Sequence, residues 1–461
     1  MKYSLSSVAA RITRLTGIDT YDEADTRLSR FLLKGSAGTF ALKIISTGLA
    51  FVISLLLARL LGAKGYGIYA YTMAWVNLLG VLATLGLDRL IVREIAVYQT
   101  QSEWGLMRGL LRLSKQVVLV VSTGLALVVA LIVWNLIGSS NPLMLVSFWI
   151  ALTLLPLVTL NSLRQAALRG LNRVVVGQIP EMFIQPMVFI IVIAAVYLFI
   201  EKNFTASRAI GMNVVAAGVA FVIGTRLLHK NLPKAAKKNY PVYEMRVWTR
   251  SALHMMLIAF MQVINARADI LMLGTIKGTN ATGIYAVATK GAELITFILL
   301  AVNTALAPTI ASLYASREMK RLQRLVTQSA RIILLISLPI GLGLILFGKW
   351  FLFLLFGQEF EQGSTALSIL SVGQIVNATM GSVGLLLIMT GHERDVAFGV
   401  GLSTILNVIL NSVLIPLWGF NGAALATASS MTVWNISLSI WVYKRLGIHT
   451  TALGKIHLRR D

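Results

Sequence analysis

Of the 461 residues, 57% are aliphatic, aromatic or sulfur-bearing and 13% are charged, against roughly 45–50% and 25% in an average soluble domain; this excludes a soluble core and indicates a polytopic membrane protein. The formal net charge of +23 would suit nucleic acid only on a solvated face, and here the basic residues fall in short segments between apolar runs, so no nucleic-acid partner is expected. Cysteine is absent and the five histidines are dispersed, which excludes disulfides, thiolate-bound metals and iron–sulfur clusters.

The first 36 residues carry Asp19, Asp22, Glu23 and Asp25 and lack the apolar region and small-residue cleavage site of a secretory signal. Leu5, Val8, Ile12 and Leu15 share one helical side beside Arg11 and Arg14, the pattern of an amphipathic arm on a membrane surface. A solvated arm is the alternative. About twelve apolar segments follow, each near the roughly 20 residues that cross a bilayer. They lie at 37–60, 66–87, 114–137, 143–163, 180–200, 208–228, 251–276, 281–312, 330–356, 363–390, 396–417 and 421–443. Prolines and glycines inside them (Pro156, Pro186, Pro308, Pro339, Gly341, Gly373, Gly381) are expected to kink or loosen a span without ending it.

With a cytoplasmic N-terminus, the inside segments hold about 32 of the basic residues and the outside loops about six, which places both termini in the cytoplasm. Only Lys43, Arg267 and Lys290 are then left inside spans. The expected organisation is an N-terminal arm (1–36), a first six-helix lobe (37–228), a basic cytoplasmic linker (229–250), a second six-helix lobe (251–443) and a basic cytoplasmic tail (444–461). The halves repeat. LGAKGYGIYA at 61–70 resembles LGTIKGTNATGIYA at 273–286, GIYA recurs in full, and GLNR at 170–173 matches GHER at 391–394. An even number of spans per repeat gives both lobes the same polarity, with a site at their interface near the midplane.

Into the seventh and eighth spans the chain places Arg267, Asp269, Lys290 and Glu293. A charge near the middle of a membrane helix costs on the order of 2.5–3.5 kcal/mol on insertion scales, which makes such residues functional candidates. The repeat sets Leu55, Leu57, Ala74 and Asn77 opposite them, so these charges belong to one half. Lys290 and Glu293 share a helix face and can neutralise each other, whereas Arg267 and Asp269 point to different sides. A buried structural ion-pair network is the competing reading. Lys43, two turns into the first span, either snorkels to the surface or faces a cavity. The duplicated Gly67, Tyr69, Gly283 and Tyr285 are read as structural, glycine allowing close backbone approach. Asn407 and Asn411, and less closely Gln374 and Asn377, share helix faces and are expected to bond between helices. There is no P-loop, glycosidase-type carboxylate pair or metal-ligand cluster, so the protein is not expected to be an enzyme or to hold a cofactor.

ARLLGAKGYGIYA at 58–70, DILMLG at 269–274, GIYAVATK at 283–290 and MTGHER at 389–394 together resemble the polysaccharide transporters, the Wzx-type O-antigen or exopolysaccharide flippases of the multidrug/oligosaccharidyl-lipid/polysaccharide exporter (MOP) superfamily. The resemblance implies a monomeric, all-α, multi-pass protein of the bacterial cytoplasmic membrane that flips an undecaprenyl-diphosphate-linked oligosaccharide by alternating access, with H+ or Na+ coupling. By the same resemblance Arg267 and Lys290, with Lys43 behind them, bind substrate, and Asp269 and Glu293 are ion-coupling candidates. Partners would be the lipid-linked oligosaccharide, membrane lipids and polysaccharide polymerase or ligase machinery. A lipid-linked peptidoglycan precursor flippase and a drug/cation antiporter are alternatives within the superfamily. From another class comes a membrane polysaccharide polymerase, disfavoured because the outer loops are short.

Overall fold

In a bilayer the backbone must satisfy its own hydrogen bonds, so each apolar run is expected to close as a helix. The computed structural model describes residues 23–137, 141–199 and 204–452, and every regular element among them is helical. The amphipathic pattern at residues 5–15 and the tail beyond 452 lie outside the described residues. In chain order the elements are α1 (Glu23–Thr84), α2 (Leu87–Gln101), α3 (Trp104–Ile137), α4 (Pro142–Gly170), α5 (Val174–Phe199), α6 (Ala206–Asn231), α7 (Lys234–Lys238), α8 (Met245–Ile276), α9 (Gly278–Ala315), α10 (Met319–Phe356), α11 (Ser364–Met380), α12 (Val383–Met389) and α13 (Glu393–Leu446).

Among the described residues nine helices are long and apolar enough to cross a membrane, ten when the bent pair Gln358–Met380 and Val383–Met389 is one span. Two are too long for one crossing. Gly38–Thr84 has 47 residues and Glu393–Leu446 has 54, about 70 and 80 Å at 1.5 Å per residue against a hydrocarbon core of about 30 Å. Each breaks where a glycine leaves helical geometry, Gly62 at φ 66° and Gly419 at φ 57°. Dividing them there returns the twelve segments read from the sequence. Pro156, Pro308 and Pro339 lie inside continuous helices, whereas Gly381 takes φ 70° at the 41° bend between α11 and α12.

The sequence reading needs two corrections. The segment 88–115, read only as an inside segment between spans, contains α2, which buries Leu90, Ile91 and Ile95, and the first turns of α3. Arg164, counted among loop residues, lies within α4 and is 4% exposed. Hydropathy windows end a span at its last apolar residue, but a helix continues wherever its polar end finds protein to pack on.

Exposure is inverted relative to a soluble protein. Leu127, Leu335 and Leu346 face outward, while Asn161, Asn213, Asn407 and Asn411 are buried, as expected when the solvent is hydrocarbon and interior contacts are polar. Asn411 donates to Asn407 Oδ1 at 2.9 Å and Asn407 to Ser430 Oγ at 3.1 Å, tying the two arms of α13 together. Asn377 instead bonds Gln374 within one helix.

The centre of the molecule is the crossing of α1 and α9. The repeated glycines meet there: a Cβ on Gly67 would overlap the Thr279 carbonyl oxygen, and one on Gly283 would overlap the Ala63 carbonyl oxygen. The contact is reciprocal, and each obstacle is backbone. Gly67→Ala is therefore expected to destabilise this packing by about 1–3 kcal/mol, the usual range for overpacking, read as a lower thermal midpoint in detergent; an unchanged midpoint would mean the helices separate freely here. Close by, Arg59 donates to the Leu354 and Leu355 carbonyls at the end of α10, and Glu359 accepts from the Ala63 N–H at 2.7 Å. Glu359 thus satisfies an N–H freed by the break at Gly62, and Arg59 satisfies carbonyls at the C-terminal end of α10. At the other end of the bundle Gly86, at φ 73°, packs on the Ala252 carbonyl, and Trp248 Nε1 donates to Tyr98 Oη at 2.9 Å.

Candidate functional site

Between the two arms of α1 and helices α5, α6, α8 and α9 lies a cavity of about 310 Å³. Its walls combine apolar residues such as Leu57, Ile270 and Phe189 with a polar set contributed by both halves of the chain. From the first half come Tyr66 and Tyr69, one helical turn apart, their rings stacked at 6.3 Å and 20°. Tyr66 Oη and Ser54 Oγ bond at 2.8 Å, and Gln185 donates to Asn213 Oδ1 at 3.2 Å. From the second half come Arg267, Lys290 and Glu293.

Four of the six charges here form two ion pairs, and Arg267 and Asp269 stand outside them. Lys290 Nζ bonds Glu293 Oε2 at 2.7 Å, one turn apart on α9. Glu181, also on the wall, is ion-paired with Arg164, whose guanidinium is buried behind it. Asp269 is withdrawn from the cavity: its carboxylate accepts from Tyr285 Oη at 2.6 Å and from the Ile270 N–H at 2.8 Å. Tyr285 also bonds Thr427 at 3.2 Å, joining α8, α9 and α13. Arg267 pairs with no carboxylate among the described residues. Lys43 is exposed on the first arm and does not line the cavity. The structure thus brings Arg267, Lys290 and Glu293 together and leaves Asp269 and Lys43 apart from them.

Sequence reasoning missed Glu181, Gln185, Asn213 and the Ser54–Tyr66 pair. Glu181 stands at the expected start of the fifth span, where a carboxylate does not stand out. In the structure a π-helical turn over Pro180–Ile184 interrupts α5, and such turns occur often at functional sites. The available signal was two prolines, Pro180 and Pro186, closely flanking a carboxylate and a glutamine at the head of an apolar run. Arg164 had a signal as well. Gly224 on α6 leaves room for it: a Cβ there would overlap the Arg164 guanidinium, which donates to the Ala220 carbonyl at 2.9 Å.

Solved structures share this architecture. An inward-facing multidrug resistance MATE family transporter of the MOP superfamily superposes with a TM-score of 0.67 at 14% identity, covering 87% of this chain and 94% of that one. The lipid II flippase MurJ in an inward closed conformation gives 0.67 at 14% identity over 88% of this chain and 87% of that one. The fold is therefore that of an all-helical, multi-pass membrane protein of the kind seen in these two structures. Residues 32–314 match the family described as Polysaccharide biosynthesis protein, and the chain belongs to that family; residues 251–413 also match MatE. Two curated relatives come from Haloferax volcanii. The probable flippase AglR is 31% identical over 172 residues, and the probable low-salt glycan biosynthesis flippase Agl15 is 26% identical over 165. The matched stretch is 36% of this chain in both cases and covers 36% and 35% of those relatives, so the chain spans about a third of the length of the curated relatives it matches.

Proposed function

We propose that the protein moves a lipid-linked oligosaccharide across the membrane by alternating access, the central cavity holding the phosphate and first sugars of its head group. The observation that carries this reading is Arg267, a cation on the cavity wall that is in no ion pair among the described residues, while Lys290 and Glu181 are paired and Asp269 is turned away into its bond with Tyr285. In a low-dielectric site such a cation attracts an anion far more strongly than it would in water. Guanidinium also matches the geometry of phosphate oxygens. The stacked tyrosines offer flat apolar surfaces to sugar rings, and Ser54, Gln185 and Asn213 supply donors and acceptors to sugar hydroxyls. Names carried by AglR, Agl15 and MurJ are consistent with such cargo.

In this reading residues 37–228 and 251–443 are two lobes with both termini in the cytoplasm, as the distribution of Lys and Arg favours. The contacts at Arg59, Glu359 and the paired glycines then close the outer end. Reconstituted protein tests the proposal. Lipid-linked oligosaccharide in proteoliposomes should become accessible to an impermeant glycosidase from the opposite leaflet only when the protein is present. Equal accessibility in protein-free vesicles, or exclusive transport of small cations, would discard it.

Asp269 and Glu293 are the coupling candidates for H+ or Na+. Asp269→Asn keeps an acceptor for Tyr285 but removes the titrating charge, so transport is expected to stop responding to an imposed gradient while the fold persists. A variant that retains the wild-type gradient response would make Asp269 a packing residue only.

A further inference from the structure

A second cavity, of about 540 Å³, lies away from the central one and next to the basic linker, between α3, α4, α6 and α7. Its rim carries Arg108, Arg112, Lys115, His229 and Lys237, Arg164 forms its inner wall, and no Asp or Glu lines it. Among the described residues Arg164 is the only one of these six in an ion pair. That pair leaves part of its charge unused: Arg164 is 4% exposed, and its Nε has no hydrogen-bond partner among the described residues. The other wall is apolar, with Leu111, Leu160, Leu163, Phe221 and Leu228.

The surrounding backbone holds this pocket in shape. The linker is strapped to α3: Val242 N–H donates to the Gly105 carbonyl at 3.0 Å, Arg108 donates to the Asn239 carbonyl at 2.6 Å, and a Cβ on Gly109 would overlap the Val242 carbonyl. This strap fixes α7, and with it Lys237, over the mouth of the pocket. Cations that are in no ion pair among the described residues, set above a greasy wall, have a clear complement: a phosphate ester attached to hydrocarbon chains.

We infer that this pocket binds the phosphate head group of an anionic membrane lipid, the phosphate held by Arg112, Lys115 and Lys237 at the rim and the acyl chains lying along Leu111, Leu160 and Phe221. The site is separate from the central cavity and does not rest on the transport reading. The two cavities nonetheless share one partition, because Arg164 lines this pocket and Glu181 lines the other. A phosphate that draws on the guanidinium would loosen its hold on Glu181.

The chain has no cysteine, so a single Thr225→Cys on the pocket rim accepts one environment-sensitive fluorophore. Detergent-solubilised protein is titrated with dilauroylphosphatidylglycerol, dilauroylphosphatidylcholine and inorganic phosphate. A saturable response to the glycerol lipid at concentrations at least about tenfold below those for the choline lipid is expected, since each Lys or Arg near an anionic head group contributes about fivefold. The triple variant Arg112→Gln, Lys115→Gln, Lys237→Gln should raise half-saturation by about tenfold or more. A control triple on α10, Lys320→Gln, Arg321→Gln, Arg324→Gln, should leave it unchanged. Equal response to the two lipids overturns the proposal without any variant, as does equal weakening in both triples. Inorganic phosphate saturating at the same concentration as the glycerol lipid would also overturn it, by making the ligand a free anion.

Discussion

Arg267→Gln is expected to weaken binding of a lipid-linked diphosphate by about 1.5–3 kcal/mol, roughly 10- to 150-fold, the range for a hydrogen bond to a charged group, with membrane insertion unaffected. The reason lies in the pairing pattern on the cavity wall. Lys290 already shares its charge with Glu293, and Glu181 is neutralised by Arg164, so an incoming anion gains most from Arg267. Lys290→Gln should accordingly cost less, because Lys290 is already engaged by Glu293 and the carboxylate left behind is exposed and screened by solvent. Titrating purified protein with a short-chain polyprenyl diphosphate gives both constants. Wild-type affinity in Arg267→Gln would remove the guanidinium from the binding site, and a larger loss in Lys290→Gln would reverse the assignment of roles.

The largest stability effect is expected at the partition between the cavities. Glu181→Ala strands the Arg164 guanidinium in the interior of α4, α5 and α6, and breaking a buried pair from one side costs about 3–5 kcal/mol. Arg164→Met with Glu181→Leu removes both charges and keeps the volume, and a buried pair replaced by apolar residues is often neutral or stabilising. Thermal unfolding in detergent should therefore show a marked drop for the single variant and recovery for the double. Should the double unfold as early as the single, the carbonyls of Ala220 and Phe221, which also accept from Arg164, would be the anchoring interaction in place of the carboxylate.

The sequence revealed most where its chemistry is local. Apolar runs near 20 residues must become helices in hydrocarbon, and the GIYA repeat marked the two places where backbones cross. Arg267 and Lys290 stood out because a charge inside such a run has few reasons to be there. Arg164 and Glu181 were equally unusual, but each lay at the edge of a run, where a charge has an ordinary explanation. Their pairing depends on a π-helical turn and on a glycine in α6, neither of which leaves a periodic trace. Asp269 illustrates the reverse case. Its position in a span was visible, yet its withdrawal from the cavity depends on Tyr285, sixteen residues away across the next helix.

The interlock at Gly67 and Gly283 constrains how this chain can change over generations. Each glycine makes room for main-chain atoms of the opposite copy, and main chain cannot be trimmed to compensate for a neighbour that grows. With the two repeats joined in this way, neither glycine can be enlarged without displacing the backbone of the other repeat. Both positions should resist replacement even where the surrounding repeat has lost all other trace of common origin.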